Sequence, residues 1–87
     1  MSNLIRGNFG LRRYIDKIRK MDKLELLQEM VYYQEEKGAS RSATPDLIQR
    51  GLVLFRALVE IAESKELRDV CKNYYNKLNQ EWDELHR

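Results

Sequence analysis

Residues 45–62 have the sequence PDLIQRGLVLFRALVEIA, the most apolar stretch of the chain. On a helix that turns about 100° per residue, the polar side chains of this stretch fall on one narrow strip. The strip contains Asp46, Gln49, Arg56 and Glu60, together with Glu63 just beyond the stretch and one apolar member, Val53. The rest of the surface is apolar, which is typical of a helix that packs neighbours on two sides. We therefore predict a buried central helix over residues 45–62.

The beginning of this helix carries three consecutive start signals. Thr44 is a preferred N-cap residue, Pro45 suits the first helical position, and Asp46 complements the positive end of the helix dipole. Gly51 stands within the apolar surface, where glycine costs about 1 kcal/mol of helix propensity relative to alanine. We expect the close approach of another backbone to explain Gly51, with a ligand niche as the alternative.

Composition favours a single all-α domain over residues 1–87. The chain has one proline and four glycines, too few turn residues for a multi-stranded sheet, and strong helix formers dominate it. A chain of this length buries roughly 60% of its unfolded surface, enough to fold without a metal or a disulfide. Cys71, the only cysteine, excludes an intramolecular disulfide and a zinc site built of several cysteines.

Helix signals divide the chain into a small antiparallel bundle of three to four helices. The predicted helices span residues 11–21, 23–37, 45–62 and 66–86, with an irregular N-terminal segment 1–10 and a loop 38–44. Asp22 and Glu25 form a capping box, which indicates a turn at Met21–Asp22. On one continuous helix, the apolar side of residues 11–21 and that of residues 23–37 would point in roughly opposite directions, which also indicates a turn here. The arc that we expect the second helix to bury consists of Leu24, Leu27, Met30, Val31 and Tyr33, while Glu25, Glu29 and Glu36 should face solvent.

The last helix carries an apolar stripe at heptad-like spacing. The stripe consists of Leu67, Cys71, Tyr74, Leu78, Trp82 and Leu85. If the central helix continued without a break, this stripe would fall on its polar strip. We therefore predict a break at Ser64, with Ser64 as N-cap and the last helix folded back antiparallel. The alternative is one long helix whose opposed faces require a second chain, and a homodimer is accordingly possible.

Few residues suggest catalysis or metal binding. His86, the only histidine, follows Asp83 by three positions, but two ligands do not make a metal site. Cys71 lies on the buried side of its helix without a histidine to activate it, which favours a structural thiol. Glycine-rich phosphate-binding loops are absent. We predict no enzymatic activity, no cofactor and no metal.

Charge is distributed unevenly along the chain. Residues 1–23 hold seven Lys/Arg against two Asp, a net +5, whereas residues 24–87 hold nine against twelve acids, a net −3. The candidate binding residues of this basic segment are Arg6, Arg12, Arg13, Lys17, Arg19 and Lys20. They could neutralise nucleic-acid phosphates, contact a protein, or lie on an anionic lipid surface. The short apolar side of the first helix, with Phe9 as its one Phe or Trp, weakens the lipid alternative.

Tyr32 is predicted to be exposed on the second helix, and tyrosine is enriched at interface centres. The favoured function is a small non-enzymatic regulatory or interaction protein that binds a larger protein through helical surfaces. The alternative is a nucleic-acid-binding accessory protein that uses the basic N-terminal segment, although exposed aromatics are not seen between the cations. Neither a signal-peptide core nor an apolar run of roughly 20 residues is present, so a soluble cytoplasmic protein is expected.

Overall fold

A computed structural model describes residues 2–39 and 44–85, and the side chains of residues 10–39 and 44–85. Four α-helices make up the fold: α1 (Ser2–Arg19), α2 (Lys23–Ala39), α3 (Pro45–Ile61) and α4 (Lys65–Leu85). The described part of the chain contains no β-strand. The prediction of an all-α bundle is confirmed.

The central position belongs to α3, which packs against each of the other three helices. Its buried residues are Leu47, Ile48, Gly51, Leu54, Phe55 and Leu58. Arg56 and Glu60, from the predicted polar strip, are exposed. Thr44 caps the helix as predicted, because its hydroxyl oxygen accepts the Leu47 N–H at 3.2 Å and Pro45 follows at the first position. The buried central helix is therefore confirmed, with Ala62 as its C-cap.

Helix α4 folds back against α3 after a connection of three residues. The Ala62 N–H donates to the Leu58 carbonyl at 3.0 Å, and the Ser64 hydroxyl oxygen accepts the Leu67 N–H at 3.1 Å. Phe55 of α3 stacks on Tyr74 of α4, with ring centroids 4.3 Å apart. The break at Ser64 is thus confirmed. Cys71 and Leu78 of the α4 stripe are buried within the chain, whereas Leu85 at its end is 47% exposed.

The turn between α1 and α2 contains the predicted capping box. The Glu25 N–H donates to Asp22 Oδ1 at 2.8 Å, and the Asp22 N–H donates to Glu25 Oε1 at 3.3 Å. Both partners are exposed, so the bonds compete with water. They nevertheless satisfy backbone donors that the first turn of α2 would leave open.

Asp22→Ala is expected to lower the free energy of unfolding by about 1 kcal/mol, because it removes the N-cap acceptor. Urea denaturation followed by circular dichroism measures the change. Asp16→Ala is the matched control, since Asp16 is an exposed acid within α1 and its loss should stay within about 0.5 kcal/mol. Equal effects of the two substitutions would contradict a capping role for Asp22.

The prediction that residues 1–10 are irregular is wrong, because α1 begins at Ser2. Glycine and asparagine weaken a helix without stopping it, and this segment has no proline. The sequence spacing of Leu4, Leu11 and Ile18 also keeps the helical period through the segment. The predicted loop 38–44 begins later than expected, since α2 continues through Gly38 to Ala39. Residues 40–43 and His86 lie outside the described residues.

The predicted buried arc of α2 is partly wrong. Leu26 and Tyr33 are the buried residues of this helix, whereas Leu24 is 66% exposed and Val31 is 48% exposed. The orientation of α2 follows from Tyr33, whose Oη donates to the Leu47 carbonyl of α3 at 2.8 Å in a buried hydrogen bond. Leucine and other apolar residues occur on both sides of α2, so its sequence pattern alone does not select the buried side.

Candidate functional site

The solvent side of α2 presents an apolar surface opposite Leu26 and Tyr33. Leu24, Val31 and Tyr32 are 66%, 48% and 65% exposed, and they lie within one sector of the helix. We call this surface the α2 outer face and define it by Leu24, Gln28, Val31, Tyr32 and Glu35. The exposure of Tyr32 agrees with the sequence expectation. Sequence reasoning missed Leu24 and Val31 as surface residues, because it assigned them to the core.

The α2 outer face contains one carboxylate, Glu35, and has a second, Glu25, at its margin. Glu25 and Glu35 are exposed, and Glu35 has no ion-pair partner among the described residues. Glu36 is held towards α3 by Arg50, whose Nη2 lies 2.6 Å from Glu36 Oε2. The hydrogen bond from Arg50 lowers the pKa of the Glu36 carboxyl, with partial burial opposing the shift. The apolar residues of this surface are therefore flanked by negative charge.

The predicted basic residues of α1 do not form a single surface. Arg12, Arg13, Lys17, Arg19 and Lys20 are all exposed, and nothing is described of the Arg6 side chain. Arg13 and Lys17 lie beside Asp46 and Arg50 of α3, whereas Arg12 and Arg19 lie along the other edge of α1. The structure thus separates the cations that the sequence grouped together.

Glu29 of α2 contacts the side of α1 that carries Tyr14 and Lys17. It was predicted to be solvated, but it is partly buried and accepts a hydrogen bond from Tyr14 Oη at 3.0 Å. Lys17 Nζ lies 3.6 Å from Glu29 Oε1. Burial and the bond to the Glu29 carboxylate raise the pKa of the Tyr14 phenol, which keeps it protonated as the donor. These three side chains join α1 to α2 and have a structural role.

The other edge of α1 borders the first of three shallow depressions that adjoin one another from α1 across α3 to α4. Arg19 lines two of these depressions, and Arg56 with Glu60 lines the depression that follows towards α4. We call this surface the α1–α4 channel. Its charged residues are Arg12, Arg19, Arg56, Arg68 and Lys72, with Asp16 and Glu60 as carboxylates. Five cations and two acids give it a net charge of +3.

Sequence reasoning identified the α1 members of this channel but not the three cations from α3 and α4. Arg56 was assigned to the polar strip of the central helix. Arg68 and Lys72 are separated from α1 by about fifty residues of sequence, so no local signal connects them to Arg12 or Arg19.

Groups suited to catalysis or metal binding are scarce in the described residues. Cys71 is fully buried, and burial raises the pKa of its thiol, which disfavours the reactive thiolate. Residues 2–39 and 44–85 contain no group of three His, Cys, Asp or Glu side chains arranged to hold a metal ion. Over the same residues, the helices lack the length and apolar character needed to cross a membrane.

No protein-family model, curated protein or solved structure matches this chain. The α2 outer face and the α1–α4 channel are therefore the surfaces on which a function can be argued.

Proposed function

We propose that the chain is a small non-enzymatic interaction protein that binds a larger protein through the α2 outer face. The observation that carries the proposal is the exposure of Leu24, Val31 and Tyr32 on one side of a single helix. Singly exposed apolar residues are ordinary, but several on one side of a helix, mixed with polar residues such as Gln28 and Glu35, match the mixed apolar and polar composition of protein interfaces. Tyr32 supplies the kind of side chain that contributes most at interface centres.

The carboxylates of the face and its margin indicate the chemistry of the partner. Glu25 and Glu35 favour a surface whose apolar stripe is flanked by lysine or arginine. A basic amphipathic helix has this pattern, since apolar residues at helical spacing can pack along the side of α2. The partner would cover the exposed side of α2 without disturbing Leu26 or Tyr33, so the bundle can remain folded in both states. The single cysteine supports a cytoplasmic location as part of the same proposal.

The proposal can be tested by placing a photo-cross-linking aromatic amino acid at position 32. We expect one protein to be cross-linked from position 32 and not from position 80, where Gln80 is exposed on α4. With that partner purified, Leu24→Ala and Tyr32→Ala should each weaken binding by about tenfold, the typical effect of a central interface residue. The free energy of unfolding should change by less than about 0.5 kcal/mol, because both side chains are mostly exposed.

Other outcomes would count against this function. Cross-linking from both positions with equal yield would indicate non-specific capture. Cross-linking of a second copy of the chain alone, with a dimer in analytical ultracentrifugation, would replace the larger partner by a homodimer.

A further inference from the structure

We propose that the α1–α4 channel binds the sugar–phosphate backbone of single-stranded nucleic acid, with Tyr75 stacking on a base. This site is built by α1, α3 and α4 and is separate from the α2 outer face. The inference rests on three observations: the clustering of cations without ion pairs, the adjoining depressions that they line, and the aromatic side chain among the basic residues.

Within the described residues the cations of the channel form no ion pair with a carboxylate, a state that they share with Lys20, Lys65 and Lys77 elsewhere on the bundle. Lys17, Lys23, Lys37 and Arg50 each form an ion pair with a Glu or Asp. By contrast, no ion pair within the described residues involves Arg12, Arg19, Arg56 or Lys72. Arg68 Nη2 donates to the Ala62 carbonyl at 3.2 Å, and Arg68 likewise forms no ion pair within residues 10–39 and 44–85. An anionic ligand would supply the missing partners.

The three depressions of the channel adjoin one another through shared lining residues. Ile15 and Arg19 line both depressions next to α1, and Arg56 and Glu60 line both depressions next to α3. Arg12 and Arg19 are two helical turns apart, about 10 Å along α1, and Arg68 and Lys72 are one turn apart on α4. Cations spaced along both walls can contact several phosphates of one strand, whereas a single phosphate would reach only one or two of them.

Tyr75 distinguishes a single strand from other polyanions. Tyr75 of α4 is half-buried against the core and lines the same depression as Val59 of α3, next to Arg68 and Lys72. Proteins that bind single strands combine a basic groove with aromatic rings on which bases stack. The sequence expectation that aromatics do not alternate with cations holds along α1, but it does not hold on α4, where Arg68, Lys72 and Tyr75 share one side of the helix. Bases in a duplex are already stacked, so the ring favours an unpaired strand.

The charge part of the proposal is tested by fluorescence anisotropy of a labelled single-stranded oligonucleotide with the full chain at several salt concentrations. We expect affinity to fall log-linearly with salt, by about 0.7 log units per decade for each phosphate neutralised. Lys72→Glu should weaken binding by about tenfold at low salt and reduce the salt slope. The matched control is Lys77→Glu, since Lys77 is exposed on the same helix about 140° away from Lys72. It should change affinity by less than about twofold.

The stacking part is tested by Tyr75→Phe and Tyr75→Ser. Tyr75→Phe should retain the affinity for the oligonucleotide because the ring remains. Tyr75→Ser should weaken that affinity by about tenfold. Circular dichroism establishes that both variants are folded. Leu24→Ala should bind the oligonucleotide like the wild type, so failure of the α2 proposal and failure of this one are distinguishable.

Three results would overturn the proposal. The first is no binding at low salt, and the second is an equal loss from Lys72→Glu and Lys77→Glu. The third is competition by polyglutamate as effective as competition by unlabelled single strand, which would assign the channel to acidic polypeptides.

Discussion

Phe55→Ala is expected to lower the free energy of unfolding by about 3–5 kcal/mol, the usual cost of removing a buried phenylalanine ring. Phe55 is fully buried and joins three helices. Its ring makes an edge contact with Tyr33 of α2, at 5.9 Å between centroids and 70° between planes, and stacks on Tyr74 of α4 at 4.3 Å and 20°. Small domains are stable by about 5–15 kcal/mol, so the variant should approach the unfolding threshold at ambient temperature.

Urea denaturation followed by circular dichroism gives the change, with the slope of the transition reporting whether unfolding remains two-state. Phe55→Leu is the graded control, because it keeps most of the apolar volume and should cost less than the alanine variant. Val70→Ala is the surface control on α4. Because Val70 is mostly exposed, this substitution should change the free energy of unfolding by no more than about 0.5 kcal/mol. A Phe55→Ala cost close to that of Val70→Ala would contradict a central packing role for the ring.

The helix boundaries that sequence reasoning placed correctly are those marked by local chemistry. Asp22, Thr44 and Ser64 each bond to a backbone N–H three residues later, so their signals lie entirely within a short window of sequence. The break at Ser64 also had support from phase, because an unbroken helix would have placed two apolar surfaces on opposite sides. Local capping signals and the helical positions of the apolar residues therefore predicted the bundle, with α3 as its centre.

The orientation of α2 could not be predicted in the same way. Leu24 and Val31 on one side, and Leu26 and Tyr33 on the other, are both reasonable buried sets for a helix with apolar residues all around. The choice depends on the contact of Tyr33 with Leu47, which joins two helices and has no signature in either one alone. The error concerned the residues that now define the α2 outer face, where an apolar helix side is left without a cover.

The candidate channel shows the same division between local and long-range information. Arg12 and Arg19 were identified because they lie in a strongly basic segment of sequence. Arg56, Arg68 and Lys72 lie in mixed-charge segments, and only the packing of α1 and α4 on either side of α3 brings them into one surface. The net charge of one sequence segment thus located two of the five cations, and the tertiary structure was needed for the other three.

Gly51→Ala is expected to destabilise the protein by about 2–4 kcal/mol, although alanine is the better helix former by about 1 kcal/mol. A Cβ at position 51 would overlap Tyr33 Oη and would lie 2.5 Å from Tyr33 Cζ and 2.8 Å from Leu78 Cδ1. Both neighbours are buried, and Tyr33 Oη is held by its bond to the Leu47 carbonyl. Overpacking costs about 1–3 kcal/mol, and displacing the hydroxyl from its acceptor costs a similar amount. Two side chains, rather than the backbone expected from the sequence, therefore account for this glycine.

Gly10→Ala is the matched control, because Gly10 lies inside α1 and a Cβ there would meet no atom within 4 Å. It should stabilise the protein by up to about 1 kcal/mol, so the two substitutions are expected to have opposite signs. A double-mutant cycle with Tyr33→Phe identifies the responsible contact. Removing the hydroxyl should reduce the cost of Gly51→Ala by more than about 0.5 kcal/mol, as expected for residues in direct contact. Stabilisation by Gly51→Ala, or an additive cycle, would show that Tyr33 does not require glycine at position 51.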